Sequence, residues 1–244
     1  MKKLFLGVFI ALAIASAAFA TSTDELMVCI NGASCITVVD TGTSNSISYS
    51  NSNFGGWDLK VIFGTSGSNA NVQPALDLTS LTATCTSATG CGTNTLDVLY
   101  SDINFNVPTT PGQWSNQYST TITTSAGRAG STSELAWVDT SNTIFGTPAG
   151  GAIPTVGPFT STNSGTTLGG PFTTKSPYSV TVEQIFSDNS SCSTTTAPFC
   201  TGSGLTFSSD GSVSGSPVPE PTAIILFGTV VALCTSRLRR RRAS

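Results

Sequence analysis

The residues with the most distinctive chemistry are cysteines. Between positions 21 and 217 they fall into three local pairs: Cys29 with Cys35 and Cys85 with Cys91, each with five residues between, and Cys192 with Cys200, with seven between. An even count of closely spaced cysteines in an exported chain reads as disulfides. Each pair brackets turn-forming residues: Asn31-Gly32-Ala33-Ser34, Thr86 to Gly90, and Ser193 to Phe199. Cysteines facing each other across a hairpin mouth sit at a workable Cα separation. Loops this small stabilise a domain by roughly 2–3 kcal/mol each. Zinc sites favour closer cysteine pairs and usually add histidine, and the chain has no histidine. Spacing favours the local pairing, although six cysteines allow other connectivities.

The absence of histidine also removes Ser-His-Asp, Cys-His and His-metal catalysis. Gly127-Arg128-Ala129-Gly130 lacks the lysine of a phosphate loop and reads as a turn. A pair of carboxylates, as in glycoside hydrolysis, is the remaining catalytic device. Glu134 with Asp139 and Glu183 with Asp188 are the local candidates. Each pair is an odd number of residues apart, so in a strand its members point to opposite faces. No catalytic residue, cofactor site or metal centre is assigned, and the reading is of a protein that is not an enzyme. Asp97 and Asp102, or Asp188-Asn189 with Asp210, offer hard oxygen donors for a structural calcium, without an Asp-x-Asp-x-Asp loop. Trp57, Trp114 and Trp137 are either sugar-stacking platforms or core, and their alternating contexts favour core.

These residues must be held by strands. The body is rich in Ser, Thr, Gly and Asn and poor in Lys, Glu, Arg and Met, which favours pleated strands and turns over helix. Leu26 to Ile30 and Cys35 to Val39 flank Asn31-Gly32 and predict a hairpin. Trp57, Leu59, Val61 and Phe63 alternate with Asp58, Lys60 and Ile62, so one face is buried. Leu76, Leu78, Leu81 and Ala83 predict a strand with an irregularity. Leu96, Val98 and Tyr100 alternate, as do Val180, Val182 and Gln184. Trp114, Tyr118 and Ile122 share a face. Ala136 and Val138 oppose Leu135 and Trp137. Leu205 and Phe207 form a last strand. Gly146 to Gly170 reads as a long loop, and residues 211–217 as a Gly/Ser linker. About ten short strands at this spacing predict an all-β body over 21–210, an antiparallel sandwich or jelly roll. Within residues 21–217 three cations face twelve carboxylates, a net charge of −9. So acidic a body cannot neutralise a phosphate backbone, which excludes nucleic acid as a partner.

The two ends carry signals. Lys2 and Lys3, the apolar run Leu4 to Ala15 and the small-residue site Ala18-Phe19-Ala20 predict a secretory signal peptide over 1–20, cut after Ala20. At the other end Pro219-Glu220-Pro221 precedes a mostly apolar stretch over 222–236, then Arg237, Arg239, Arg240, Arg241 and Arg242. Arginines beside an apolar helix stay in the cytoplasm, which leaves the body outside the inner membrane. The stretch spans only ~22 Å, short for a permanent anchor. The tripeptide, the helix and the basic end, in that order over residues 218–244, resemble the PEP-CTERM sorting signal. The resemblance implies recognition by an exosortase-type membrane protease-transpeptidase and an association with exopolysaccharide. It covers the tail and says nothing of the body.

The chain is therefore expected to meet the Sec translocon, signal peptidase and an exosortase. It is expected to be held briefly in the inner membrane with its C-terminus cytoplasmic, and to end at the cell surface or in the extracellular matrix. A structural or adhesive matrix role and a carbohydrate-binding module compete for the body. Buried tryptophans with a smooth Thr/Ser face favour the first, and exposed aromatics in a row favour the second. Mass spectrometry of the surface fraction should find a chain beginning near Thr21 and lacking the tail beyond Pro221. An intact tail in cells that possess the processing enzyme would contradict this.

Overall fold

The computed structural model describes residues 24–40, 46–66, 75–86, 91, 94–106, 112–125, 128–172, 174, 176–190 and 204–217. The expected signal peptide over 1–20, Cys192 and Cys200, Pro219-Glu220-Pro221, the expected tail helix over 222–236 and the terminal arginines lie outside the described residues. Among the described residues no helix is long and apolar enough to cross a membrane.

The described chain is all-β, with one short 3-10 turn at Ala149–Gly151. Its strands are β1 (Glu25–Ile30), β2 (Ser34–Val39), β3 (Ser46–Phe54), β4 (Trp57–Ser66), β5 (Ala75–Cys85) and β6 (Thr95–Phe105). They continue with β7 (Gly112–Thr124), β8 (Gly130–Asp139), β9 (Ala152–Phe159), β10 (Asn163–Phe172), β11 (Tyr178–Asp188) and β12 (Leu205–Pro217). Two six-stranded sheets form, sheet A in the order β2-β1-β6-β11-β8-β9 and sheet B in the order β10-β7-β12-β5-β4-β3. Every strand pair is antiparallel. This is the arrangement of a β-sandwich.

The apolar alternation in the sequence becomes the layer between the sheets. Trp57, Leu59 and Val61 of β4, Leu96, Val98 and Tyr100 of β6, and Tyr178, Val180 and Val182 of β11 are all buried. Phe207 of β12 is the aromatic hinge of this layer. Its ring centroid lies 6.1 Å from that of Trp57 and 5.3 Å from that of Phe186 in the opposite sheet. Trp114 meets Tyr178 edge-on at 6.0 Å, again across the two sheets.

The irregularity expected in β5 is a bulge. Leu78 pairs with Gly211 and Leu81 with Ser209, so Thr79 and Ser80 together oppose Asp210. Ser80 takes a left-handed φ of 53° there. The extra residue lets Leu76, Leu78, Leu81 and Ala83 all point inward, and each is fully buried.

Several expectations are corrected. Residues 211–217 are not a linker but the second half of β12, paired on both sides with β5 and β7. Their glycines are there because large side chains approach from elsewhere. A Cβ on Gly215 would lie 2.9 Å from the Trp114 ring, and one on Gly211 would lie 1.5 Å from the Glu134 carboxylate. The stretch from Gly146 to Gly170 is not a long loop. It holds the 3-10 turn, β9 and most of β10. Its prolines, Pro154 and Pro158, fall on β9, which lies at a sheet edge where a missing N–H is tolerated. Cys85 and Cys91 do not face each other across a hairpin, because β5 and β6 lie in different sheets.

Gly211→Ala is expected to destabilise the protein by about 1–3 kcal/mol, because the added methyl group must displace a buried carboxylate network. Urea denaturation of the disulfide-intact chain measures this, and a loss below ~0.5 kcal/mol would contradict the packing.

Candidate functional site

Parity along the central strands of sheet B builds a continuous polar face. The outward side chains of β7 are Gln113, Ser115, Gln117, Ser119, Thr121 and Thr123, and those of β12 are Thr206, Ser208, Asp210, Ser212, Ser214 and Ser216. None is aromatic. Register aligns Thr166, Gln117, Ser212 and Asp77 in one row across β10, β7, β12 and β5. Ser164, Ser119 and Asp210 form the next row.

An open groove of about 370 Å³ runs over these rows and is lined by Asp77, Gln117, Ser164, Thr166, Asp210 and Ser212. A second groove of about 370 Å³ continues from it past Thr121, Asn163 and Ser208. The β5 bulge aims one wall of the groove, since the Ser80 N–H donates to Asp210 Oδ1 at 2.6 Å. Burial raises the Asp77 carboxyl above the usual carboxylate range. The surface offers hydroxyl, amide and carboxylate groups at strand spacing. That chemistry suits hydrogen bonding to a hydroxyl-rich ligand.

Beneath the groove lies a polar cluster between the sheets. Glu134 of β8 points inward with Thr132, Ala136 and Val138, and all four are buried. Gln184 Nε2 donates to Glu134 Oε2 at 2.9 Å and to the Leu78 carbonyl at 3.2 Å. Ser209 Oγ donates to Gln184 Oε1 at 2.7 Å. The Tyr118 and Thr132 hydroxyls share a hydrogen bond. Burial holds the Glu134 carboxyl well above the ordinary glutamate range, the Gln184 bond offsets part of this, and Asp77 adds to it. Glu134 is therefore a core residue and not a solvated acid. The signal was its parity with Ala136 and Val138.

The outer face of sheet A carries Glu183. Register sets it between Leu99 and Leu135 on the neighbouring strands. Burial, with Asp97 nearby, pushes its carboxyl up to about 7. Trp137 lies on the same face, half-buried, opposite Thr181. Trp57 and Trp114 are fully buried in the core.

The carboxylate pairs separate as strand parity predicts. Glu134 is core-facing while Asp139 accepts a backbone hydrogen bond from Ser141 at 2.9 Å. Glu183 faces outward while Asp188 is buried. The expected calcium donors are not brought together. Asp97 accepts the Gly32 N–H at 2.9 Å and so ties down the first hairpin turn. Asp102 lies on the other face, fully buried, and accepts the Ile103 N–H at 2.7 Å. Asp188 lies at the core end of β11 and Asp210 on the outer face of sheet B.

Among the described residues two disulfides are formed, Cys29–Cys35 and Cys85–Cys91. Cys29 and Cys35 are cross-strand partners in β1 and β2, with Cα atoms 4.1 Å apart. Cys85–Cys91 packs against a buried ion pair, in which Arg128 Nη1 lies 3.3 Å from Asp188 Oδ2. The Cys91 N–H also donates to Asp188 Oδ2, at 2.7 Å. Arg128 thus neutralises a buried carboxylate rather than merely sitting in a turn. Cys85, Cys91 and Asp188 cluster as metal donors would, but sulfurs bonded to each other offer no thiolate.

No protein-family model and no curated protein matches the chain. Solved structures show distant likenesses. The enzymatically active domain of bacteriophage CBA120 tailspike protein 4 is 10% identical with a TM-score of 0.31, over 71% of this chain and 22% of that one. The CBM22-1–GH10 modules of Clostridium thermocellum xylanase 10B, complexed with xylohexaose, are 8% identical with a TM-score of 0.30, over 72% of this chain and 29% of that one. A structure of carbohydrate-binding modules from the β-sandwich superfamily is 10% identical with a TM-score of 0.28, over 78% and 72%. This chain spans less than a third of the length of the first two. At these TM-scores none of the likenesses bears on what it binds.

The buried acid gives a pH test. Because the folded state raises the proton affinity of Glu134, the native protein holds a proton that the unfolded chain releases. The stability it allows is full below the ordinary glutamate range and declines as pH rises towards the folded value. Glu183 adds a decline of the same sign that ends near pH 7. Thermal unfolding should therefore fall to lower temperature between pH 5 and pH 8, and Glu134→Gln should flatten that slope. Equal slopes in variant and wild type would contradict a protonated Glu134.

Proposed function

We propose that this protein is an exported, non-enzymatic component of the cell surface or its exopolysaccharide matrix, with a structural or adhesive role. The observation that carries this reading is the outer face of sheet B. The inner strands β7 and β12 present only hydroxyl, amide and carboxylate side chains outward, while Trp57 and Trp114 are buried in the core. Such a face hydrates well with few charges. It meets a polysaccharide through many weak hydrogen bonds rather than one aromatic-lined pocket. The formed disulfides support an oxidising location outside the inner membrane. Delivery rests on the signal peptide and on the tail that resembles a PEP-CTERM signal, with the exosortase as processing partner.

A carbohydrate-binding module is the second reading. The joined grooves with Asp77 and Asp210 favour it, because a defined cleft can select a defined oligosaccharide. Affinity electrophoresis through gels containing the native exopolysaccharide, beside calorimetry with short oligosaccharides, separates the two. The matrix reading predicts retardation by the polymer, weakened severalfold in Gln117→Ala/Ser212→Ala, and no saturable binding of oligosaccharides. Saturable oligosaccharide binding abolished by the same substitutions supports the binding module. Migration unaffected by any polymer overturns both.

A further inference from the structure

Among the described residues each sheet of the sandwich ends in two edge strands, and three of the four are blunted. β3 breaks register twice against β4. β9 carries Pro154 and Pro158 and breaks register against β8. β10 carries Pro171, shifts register near its end and lies against β9. Natural sheets use these devices to keep edges from pairing with other chains.

β2 has none of them. Its six residues, Ser34-Cys35-Ile36-Thr37-Val38-Val39, include no proline, glycine or charge, and they pair with β1 in unbroken register. Three of them are strongly β-favouring branched aliphatics, of which Ile36 is 39% and Val39 50% exposed. Among the described residues no strand pairs with the far side of β2.

The hydrogen-bond phase of the hairpin fixes which backbone groups are open. The Asp40 N–H donates to the Asp24 carbonyl at 3.1 Å, so that pair is hydrogen-bonded. Alternation along an antiparallel ladder then turns Val38, Ile36 and Ser34 towards β1. Cys35, Thr37 and Val39 turn their N–H and C=O groups to the open edge. The 4.1 Å Cα separation of Cys29 and Cys35 belongs to the non-hydrogen-bonded class and agrees with this phase.

We propose that β2 is a homotypic interface, at which the chain pairs antiparallel with the β2 of a second copy. The reading concerns an edge, and it stands apart from whatever the outer face of sheet B binds. One two-fold register satisfies every open group. Thr37 faces Thr37 of the second copy, and Cys35 faces its Val39, twice by symmetry. All three open residues of each copy then fall in hydrogen-bonded pairs. Ile36 lies beside Val38 of the second copy on the core-facing side, so the apolar layer continues across the junction. Ser34, not a second carboxylate, lies opposite Asp40. In a body of net charge −9, an uncharged edge whose only flanking acid meets a hydroxyl is complementary to itself. A like-charge clash across the pair is avoided. The Cys29–Cys35 bond ties β2 to its own sheet and presents the edge as a rigid template.

Sedimentation velocity of the processed chain recovered from cells, over roughly 1–100 µM, tests this. Wild type should show a reversible monomer–dimer equilibrium. Thr37→Pro removes only an outward N–H, and Thr37→Lys places like charges at the two-fold axis. Each should raise the dimer dissociation constant by about tenfold or more while both described disulfides and the β circular dichroism persist. Thr37→Val should leave the dimer intact. If Thr37→Pro fails to fold, Thr37→Lys decides. Thr37→Cys should give a dimer on non-reducing gels through the introduced thiols. A wild-type chain that is monomeric throughout the range, or a dimer indifferent to Thr37→Lys, overturns the proposal.

Discussion

The sandwich depends on how β12 fills the space between its two sheets. Its inward residues run Leu205, Phe207, Ser209, Gly211, Val213 and Gly215, large at one end and nearly empty at the other. At the full end Phe207 joins Trp57 and Phe186, and burying a side chain of that kind is worth about 1.5–3 kcal/mol. At the empty end the glycines admit side chains from other strands, Glu134 from sheet A and Trp114 from the adjacent β7. Small residues on one strand thus answer large ones on another, as close packing between the sheets requires. The β5 bulge belongs to the same arrangement. It restores inward parity after Leu78 and, through Ser80, holds Asp210 on the opposite surface of the sheet.

That single strand therefore links core to surface. The alternation that buries Ser209, Gly211 and Val213 puts Ser208, Asp210 and Ser212 in the groove. With few charges in the body, solubility rests on hydroxyl and amide groups, and these also form the face proposed to meet polysaccharide. Charge that does enter the interior is compensated. Asp188 is paired with Arg128 and bonded by the Cys91 N–H, and the Tyr100 hydroxyl donates to Asp24 at 2.7 Å. Among the described residues no cation pairs with Glu134, and burial raises its carboxyl well above the ordinary glutamate range, which favours the neutral form and lowers the cost of holding it between the sheets.

Much of the fold was legible because period-two alternation was strong. The Trp57–Val61 run, the first hairpin and the break between Leu78 and Leu81 all lie where the pattern placed them. The segments at 146–170 and 211–217 were not legible. Their Gly and Ser content imitates a flexible loop, and the reason for each glycine lies on another strand, at Trp114 or Glu134. Long-range approach of that kind leaves no local trace. The same limit hid Arg128, whose partner Asp188 is sixty residues away. The outer face of sheet B was visible only as a composition, since its rows arise from the register of four strands distant in sequence.

Amide hydrogen exchange across β12 tests the account most directly, because the core packing and the groove both require Gly211 to Ser216 to be a paired central strand. Amides from Gly211 to Ser216 should be protected to the same extent as those from Thr206 to Ser209. Free exchange beginning at Gly211 would contradict the strand, and would remove the groove wall and the cover over Glu134 with it.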